Sequence, residues 1–169
     1  MTEAIEYNSP IGILKLTCTE DAVKSVLFAG DDQDVNTFSS EQNNFEPLLP
    51  ITKQVIEELN NYFAGSSFHF SVKLKQQGTA FQQSVWDALT SIKPGITQSY
   101  LQLSKSLGNV KAIRAVGTAN GRNSIAIIVP CHRVIGSNGS LVGYAGGLWR
   151  KKWLLEHEAK HLSGLQTLF

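Results

Sequence analysis

Apolar and polar residues alternate along the first part of the chain with the two-residue period of a β-strand. Residues 13–19 alternate in this way, and residues 23–28 form a second apolar run. The segment Glu20-Asp21-Ala22 separates the two runs and is short enough for a hairpin turn. The pattern therefore predicts an antiparallel β-hairpin near the start of the chain.

The following stretch changes to helical spacing and then returns to alternation. Residues 52–63 place apolar side chains on one face of a helix, which Gly65 would end. Residues 68–74 alternate again and predict a half-buried strand. Residues 31–47 are polar and rich in turn-forming residues, as in a surface loop. Together these elements predict a small N-terminal α/β domain over residues 1–76.

The second half of the chain carries helix-start signals instead of strand alternation. Thr79 with Gln82 and Ser99 with Gln102 each form a capping box, in which side chains satisfy the free N–H groups at a helix start. A glycine-containing turn then leads to a third helical segment, residues 110–120. Two short helices joined by such a turn fit a helix-turn-helix, and an ordinary helical hairpin has the same pattern.

These elements predict an α+β protein in which a small N-terminal domain packs on a mostly helical C-terminal domain, residues 77–169. The chain has 169 residues, 42% hydrophobic and 17% charged, which is a globular composition. No apolar run approaches the roughly 20 residues of a membrane span, and the acidic first residues are unlike a signal peptide. Cys18 and Cys131 are the only two cysteines. They predict a reduced, cytoplasmic protein with neither a disulfide framework nor a zinc site.

The net charge of +1 conceals a strong asymmetry between the two halves. Residues 1–80 carry five basic and eleven acidic side chains, whereas residues 81–169 carry ten basic and three acidic ones. Residues 88–155 contain no Asp or Glu. The basic residues of this acid-free segment are Lys93, Lys105, Lys111, Arg114, Arg122, Arg133, Arg150, Lys151 and Lys152. A run of one sign attracts nucleic-acid phosphates, and a solvated basic face that balances the acidic half is the alternative.

The segment Pro130-Cys131-His132-Arg133 is the strongest candidate for chemistry. It follows residues 125–129, a short apolar run that indicates a buried strand. A free thiol is only slightly ionised at neutral pH, so a nucleophilic Cys131 needs a base or a positive environment. His132 can be that base only if both residues lie on a turn, because neighbours on a strand point to opposite sides. A buried cysteine that acts as a small apolar residue is the alternative.

Residues 130–134 resemble the active-site signature of the O6-alkylguanine-DNA alkyltransferases. Further family motifs occur in order and at family spacing over residues 78–160, while the N-terminal half matches loosely. These motifs are Gly78-Thr79-Ala80-Phe81-Gln82, Val85-Trp86, Ser99-Tyr100, Gly108-Asn109, Arg114-Ala115-Val116-Gly117, Asn123, Gly143-Tyr144-Ala145-Gly146-Gly147 and His157-Glu158. The chain departs from the usual pattern at Lys93, Ser104, Val110 and Ser124. The resemblance implies a ribonuclease-H-like N-terminal domain. It also implies a DNA-repair activity that moves an alkyl group from guanine O6 to a cysteine, once per molecule.

The resemblance also implies a role for each catalytic residue. Cys131 would accept the alkyl group after His132 removes its proton through a water. Glu158 would orient His132 and stabilise its positive charge. Asn123 would brace the turn that carries Cys131, and Tyr100 would donate a proton or a hydrogen bond to the departing guanine.

Duplex DNA is the implied partner, bound through the minor groove with the alkylated base flipped out. Arg114 would fill the gap in the base stack, which suits one long cation on a helix face of small residues. That face consists of Ala115, Thr118 and Ala119. The other implied DNA and substrate contacts are Asn109, Ala115, Val134, Ser137, Tyr144 and Ala145. O4-alkylthymine is a further candidate lesion, and we expect a monomer with no metal or other cofactor.

Other functions compete with this one. The segment His157-Glu158-Ala159-Lys160-His161 matches the zinc-protease motif H-E-x-x-H, but no His, Asp, Glu or Cys follows it as a third ligand. A module that binds damaged DNA without repairing it would not need Cys131. A zinc deaminase would need a cysteine at position 134, which is Val134. A cysteine hydrolase would need repeated turnover and a path for water.

Overall fold

The computed structural model describes residues 1–30 and 47–163 of the chain. The chain divides into two compact units, Met1–Gln76 and Gln77–Phe169, and strands and helices occur in both, which confirms the α+β class. None of the described helices has the length and apolar character needed to cross a membrane. The surface loop predicted at residues 31–47 lies outside the described residues, apart from its last position. The separate roles predicted for the two domains stay predictions.

In the described residues, the first unit consists of an antiparallel sheet and a helix. Its elements, with the strands in the order β1-β2-β3, are β1 (Thr2–Ser9), β2 (Gly12–Thr19), β3 (Val23–Phe28) and α1 (Pro50–Ala64). β2 and β3 are the predicted hairpin. The buried residues of the sheet include Leu14, Leu16, Cys18 and Val26. α1 packs against β2, and Gly65 ends it in the left-handed conformation with φ 74°.

The sequence pattern did not predict β1, whose half-buried positions include an acid. Glu3 places its carboxylate at the start of α1, where Oε2 accepts hydrogen bonds from the Leu49 N–H (3.1 Å) and the Thr52 hydroxyl. The N-cap residue of α1 provides no side-chain cap, so Glu3 satisfies a free N–H there and interacts favourably with the helix dipole. From the sequence alone, an acid at position 3 favours a loop over a strand, because the helix that Glu3 caps begins more than 40 residues later.

The strand predicted at residues 68–74 is wrong. The segment is extended, but it pairs with β3 through one isolated bridge, between Val23 and Leu74. The Glu58 carboxylate of α1 accepts hydrogen bonds from the backbone N–H groups of Ser71 (2.8 Å) and Val72 (3.2 Å). A helix side chain therefore takes the donors that a neighbouring strand would have used.

The second unit is mostly helical. Its elements are α2 (Ala80–Thr90), β4 (Gln98–Ser99), α3 (Tyr100–Ser106), a 3₁₀ turn (Val110–Ala112), α4 (Ile113–Gly121), a second 3₁₀ turn (Cys131–Arg133), β5 (Val134–Ile135) and α5 (Leu148–Ser163). Both predicted capping boxes are confirmed, with Thr79 capping α2 and Ser99 capping α3. The helix predicted over residues 110–120 begins as the 3₁₀ turn and becomes α-helical at Ile113. α3 and α4, joined through Gly108 with φ 76°, are the two helices of the predicted helix-turn-helix.

One of the small residues assigned to the outward face of α4 is buried. Ala119 is 2% exposed, and the Trp86 indole of α2 donates a hydrogen bond to its carbonyl oxygen (2.9 Å). Ala115 and Thr118 are exposed, and so is Arg114. The outward face of α4 therefore presents one long cation beside two small side chains.

Candidate active site

Asn123 holds the tight turn that leads to Cys131. Its side-chain amide donates to the carbonyl oxygens of Ile125 (3.3 Å) and Val129 (2.9 Å), and its Oδ1 accepts from the Ile125 N–H (3.0 Å). These groups are buried, where an unpaired polar atom strongly destabilises the fold. Asn123 therefore fixes both ends of the segment that separates α4 from the cysteine.

Replacing Asn123 with alanine is expected to destabilise the protein by roughly 2–3 kcal/mol, because the three buried hydrogen bonds of its side chain to the backbone are lost at about 1 kcal/mol each. Urea unfolding measures the change. Asn138→Ala is the matched control: Asn138 lies in an exposed turn, and its loss is expected to change the free energy of unfolding by less than about 0.5 kcal/mol. An N123A protein as stable as the wild type would contradict the bracing role.

Cys131 follows a pair of very tight turns and not the strand that the apolar run indicated. Ile127 has a φ of 72°, and the Ile128 N–H donates to the Ala126 carbonyl oxygen (2.8 Å), which closes a γ-turn. A second such turn follows, in which the Cys131 N–H donates to the Val129 carbonyl oxygen (2.8 Å). A β-branched residue rarely adopts this φ, so the burial of Ile127 holds a strained backbone in place. Cys131 then begins a 3₁₀ turn, which avoids the opposed side chains of neighbours on a strand.

A two-residue parallel pairing brings Tyr100 close to the cysteine turn. β4 pairs with β5, so the start of α3 lies beside the residues that follow Cys131. The Tyr100 hydroxyl donates to the Val142 carbonyl oxygen (3.3 Å). Burial raises the pKa of Tyr100, and the charge of a Cys131 thiolate raises it further, so the hydroxyl stays protonated. Asn120, which sequence reasoning missed, has its Nδ2 3.5 Å from the Cys131 carbonyl oxygen.

His132 and Glu158 are in direct contact, and Arg133 completes the cluster. His132 Nε2 lies 2.8 Å from Glu158 Oε1, and both side chains are fully buried. Arg133 donates to both carboxylate oxygens, from Nε to Oε2 (3.0 Å) and from Nη2 to Oε1 (2.7 Å). Its Nη1 donates to the Ile92 carbonyl oxygen (2.7 Å). Two neighbours therefore fix Glu158, which in turn fixes the His132 ring.

Burial and pairing set the charges of this cluster. Burial raises the pKa of Glu158, but His132 and Arg133 outweigh it and hold that pKa well below its usual range, so the carboxylate is ionised. Burial lowers the pKa of His132 although Glu158 opposes the shift, so the imidazole is neutral at neutral pH. His132 Nδ1 has no hydrogen-bond partner among the described protein atoms. A neutral imidazole held through one nitrogen can accept a proton at the other.

Cys131 rests as a thiol and not as a thiolate. Its side chain is buried, and burial raises its pKa. A hydrogen bond from Asn123 and the positive charge of Lys151 lower the pKa of Cys131 in part. A base must therefore remove the thiol proton at the moment of reaction.

Lys151 is a functional candidate that sequence reasoning missed. Its side chain is fully buried, and Nζ donates to the carbonyl oxygens of Val142 (2.8 Å) and Gly143 (3.2 Å). Burial lowers the pKa of Lys151 to about 8. Helical spacing offered a signal, because Lys151 shares one face of α5 with Leu155 and Glu158 at positions i, i+4 and i+7.

Arg150 anchors the other end of the loop that Lys151 holds, residues 142–147. Its side chain is buried, and Nη1 donates to the Gly146 carbonyl oxygen (2.9 Å). The loop carries two of the predicted substrate contacts, the half-buried Tyr144 and the exposed Ala145. Burial raises the pKa of Tyr144 well above its usual value, so its phenol stays neutral. The first turn of α5 therefore fixes a loop whose side chains are candidates for binding a base.

The remaining predicted contacts differ in exposure. Asn109, Arg114, Ala115 and Ser137 are exposed. The side chain of Val134 is fully buried, so only its backbone can offer contacts to a ligand.

The basic residues of the acid-free segment, residues 88–155, also differ in burial. Three of these nine residues, Arg133, Arg150 and Lys151, are buried against protein partners and cannot meet phosphates. The exposed members are Lys93, Lys105, Lys111, Arg114, Arg122 and Lys152. The surface available to a polyanion is therefore smaller than the sequence alone suggests.

The H-E-x-x-H motif on α5 is not arranged as a metal site. Its glutamate, Glu158, binds the cysteine-adjacent histidine and arginine. The His157 ring stacks on Trp153 with 4.7 Å between ring centroids, and His161 Nδ1 donates to the His157 carbonyl oxygen (2.8 Å). Across residues 1–30 and 47–163, no group of three or more His, Cys, Asp or Glu is placed to share an ion.

Comparison with protein families defines the class to which this fold and site belong. The DNA-binding domain of 6-O-methylguanine DNA methyltransferase matches residues 80–160, and the ribonuclease-like domain of the same protein family matches residues 5–76. The chain belongs to the 6-O-methylguanine DNA methyltransferase family. This finding confirms the resemblance and the ribonuclease-like N-terminal domain that it implied.

Individual relatives are similar over most or all of the chain. The methylated-DNA–protein-cysteine methyltransferase of Mycobacterium leprae is 51% identical over 169 residues, covering 100% of this chain and 99% of that protein. The protein of the same name from Methanosarcina acetivorans is 47% identical over 152 residues, covering 90% of this chain and 95% of that protein. The crystal structure of Mycobacterium tuberculosis O6-methylguanine methyltransferase gives a TM-score of 0.81 at 40% identity, with 98% of this chain and 97% of that chain covered. Mycobacterium tuberculosis OGT in complex with DNA gives a TM-score of 0.79 at 41% identity, with 92% of each chain covered.

Proposed function

We propose that this chain repairs alkylated DNA by moving an alkyl group from the O6 atom of guanine to the sulfur of Cys131. The observation that carries the proposal is the buried His132–Glu158 pair, with 2.8 Å between nitrogen and oxygen, directly after a buried cysteine on a 3₁₀ turn. The pair supplies a neutral, oriented base to a thiol that cannot ionise by itself. The names of the M. leprae and M. acetivorans relatives state the same reaction class.

The proposed reaction is a displacement at a saturated carbon. His132 Nδ1 takes the Cys131 proton through one water, and Glu158 stabilises the imidazolium that forms. The thiolate then attacks the alkyl carbon, so that the S–C bond forms while the C–O6 bond breaks. The Tyr100 hydroxyl donates to the departing guanine, whose negative charge it stabilises. Asn123 and the clamped loop hold the thiol and the base in line for this attack.

The product limits each molecule to a single reaction. An alkylated Cys131 is a thioether, a stable bond that water does not cleave, so the nucleophile is consumed. O4-alkylthymine carries the same type of alkyl–oxygen bond and is a further candidate lesion.

Duplex DNA is the proposed partner, with α4 in the minor groove and the damaged base flipped into the pocket at a cost of a few kcal/mol. Arg114 fills the vacated space in the stack, which suits its exposed position beside the small residues Ala115 and Thr118. Asn109, Ala115 and Ser137, which are exposed, are further proposed contacts to the DNA. Tyr144, the Ala145 backbone and the backbone at Val134 contact the flipped base. One monomer acts on one lesion, and we place the protein in the cytoplasm.

Intact-mass analysis after mixing the protein with an equimolar duplex that contains one O6-methylguanine tests the proposal. We expect a gain of one methylene per molecule, mapped to Cys131 by peptide analysis. Cys18 is the internal control, because it is a buried thiol whose pKa burial also raises and it lacks the His–Glu pair. Cys131→Ser should show no gain while still binding the duplex. Bound DNA without any mass gain in the wild type would contradict alkyl transfer and favour a damage-binding module.

A further inference from the structure

A group of exposed apolar side chains borders the loop of residues 142–147. Val142 is 41% exposed, and in the first turn of α5 Leu148 is 48% and Trp149 is 55% exposed. An exposed tryptophan is uncommon, because a ring of this size usually buries much of its surface. Large apolar side chains that stay exposed beside a candidate site are candidate contacts for a partner.

The Trp149 ring is held in place although it is exposed. The Arg150 guanidinium carbon lies 4.5 Å from the centroid of the indole ring, and that guanidinium is itself buried and donates to the Gly146 carbonyl oxygen. Gly147 has φ 89°, and a Cβ built there would lie 3.4 Å from Trp149 Cδ1, in van der Waals contact, so the end of the loop lies against the ring. A ring that is already fixed loses little conformational entropy when it binds a partner.

The position of this ring connects it to the reacting cysteine. The Val142 carbonyl oxygen accepts hydrogen bonds from both the Tyr100 hydroxyl and Lys151 Nζ. The pKa values of Tyr100 and Lys151 both respond to the charge of Cys131, so these groups lie near the thiol. Trp149 therefore stands at the rim of the candidate site, inside the acid-free segment of residues 88–155.

We propose that Trp149 is a second nucleic-acid contact, which stacks on a DNA base or sugar beside the flipped nucleotide. The proposal rests on the proposed function, because that function brings DNA to this rim. Every base has a π-face, so an aromatic platform binds nucleic acid with little dependence on sequence. Nucleic acid fits better than a protein surface, since the ring lies in a segment, residues 88–155, that carries basic residues and contains no Asp or Glu.

Fluorescence anisotropy with a labelled duplex containing one O6-methylguanine measures the contact. All variants carry Cys131→Ser, so binding is measured without reaction. Trp149→Ala is expected to weaken binding about 5- to 100-fold, the range of one aromatic stacking contact. Trp149→Phe keeps a ring and should recover most of the affinity. Leu162→Ala is the matched control, because Leu162 is 52% exposed near the other end of α5 and should leave the affinity unchanged.

The salt dependence separates stacking from a general loss of positive charge. Trp149→Ala should leave the slope of log K against log salt unchanged, whereas Lys111→Gln, at an exposed cation, should reduce it by about 1.

Equal affinity of the Trp149→Ala variant and its Cys131→Ser parent would overturn the proposal. A loss seen only with duplexes long enough for several copies would also overturn it, since the ring would then contact a second protein molecule. Failure of methyl transfer in the intact-mass experiment would reject the proposed function, whereas this binding comparison tests Trp149 independently.

Discussion

Replacing Glu158 with glutamine is expected to slow alkyl transfer to Cys131 by about 10²- to 10⁴-fold, the usual contribution of an oriented general base. The carboxylate lies 2.8 Å from His132 Nε2 and is ionised, so it stabilises the imidazolium that forms when His132 takes the thiol proton. A neutral amide keeps the shape of the side chain and removes this charge. Single-turnover kinetics with O6-methylguanine DNA in excess measures the rate.

The same substitution also affects the fold, which calls for a second variant. Arg133 makes two hydrogen bonds to Glu158, and leaving that buried cation without its anion is expected to cost about 3–5 kcal/mol. The double variant Arg133→Met with Glu158→Gln removes both charges and should recover most of this stability, because apolar replacements of buried ion pairs are often neutral. Its transfer rate should stay as low as that of the single variant. A stable double variant that reacts at the wild-type rate would contradict a role for Glu158 beyond structure.

The pH dependence of stability gives an independent check of the ionised carboxylate. The pKa of Glu158 in the folded protein lies below its value in the unfolded chain, so the unfolded chain binds more protons in acid. The stabilisation from Glu158 is therefore fully present above the ordinary carboxyl pKa of about 4.3 and is lost as the pH falls below it. The unfolding free energy of the wild type should therefore fall relative to that of the double variant from about pH 6 to about pH 3. A difference that does not change with pH would mean that Glu158 has the same pKa in the folded and unfolded protein, which would contradict the stabilised carboxylate.

Elements of the fold that depend on neighbouring residues could be predicted from sequence. The capping boxes at Thr79 and Ser99 need only residues three positions apart, and both occur as expected. β1 and the segment of residues 68–74 depend on distant carboxylates instead. Glu3 caps α1, and Glu58 takes the backbone donors of residues 71 and 72. A sequence pattern cannot show which distant acid will satisfy a given N–H group.

The candidate site divides in the same way. Cys131 and His132 are adjacent in the chain, and the family motif extended the set to Glu158. The backbone conformation before the cysteine could not be predicted. It contains two successive γ-turns, one through Ile127, but the residues there form an apolar run without the turn-forming residues that would indicate them. The parallel pairing of β4 with β5 is only two residues long and gives no periodic signal. Burial also decides what a charged residue can contact. In the sequence Lys151 looked like a phosphate contact, but its side chain lies inside the protein.

Replacing Lys151 with methionine is expected to slow alkyl transfer about 10- to 100-fold while the protein becomes no less stable. Methionine fills a similar volume, so the variant loses a buried charge whose desolvation is unfavourable. It also loses the two hydrogen bonds to the Val142 and Gly143 carbonyl oxygens, and a loop displaced by about 1 Å can slow a reaction by about 100-fold. In addition, the positive charge of Lys151 lowers the pKa of Cys131, so its removal makes the thiolate harder to form.

Lys152→Met is the matched control for this prediction, because Lys152 is half exposed and makes a surface ion pair of 3.8 Å with Glu156. Such pairs contribute little, so the transfer rate and stability of this variant should match those of the wild type.

The pKa of Lys151 falls from an ordinary 10.5 to about 8 in the folded protein, so the unfolded chain binds more protons between these values. The destabilisation by the buried ammonium is therefore complete below about pH 8 and disappears as the pH rises toward about 10.5. The stability gained by Lys151→Met should follow the same course in urea unfolding. A variant that reacts at the wild-type rate would show that the loop and the thiol do not depend on this cation, whereas equal slowing in the Lys152 control would assign the effect to lost DNA attraction.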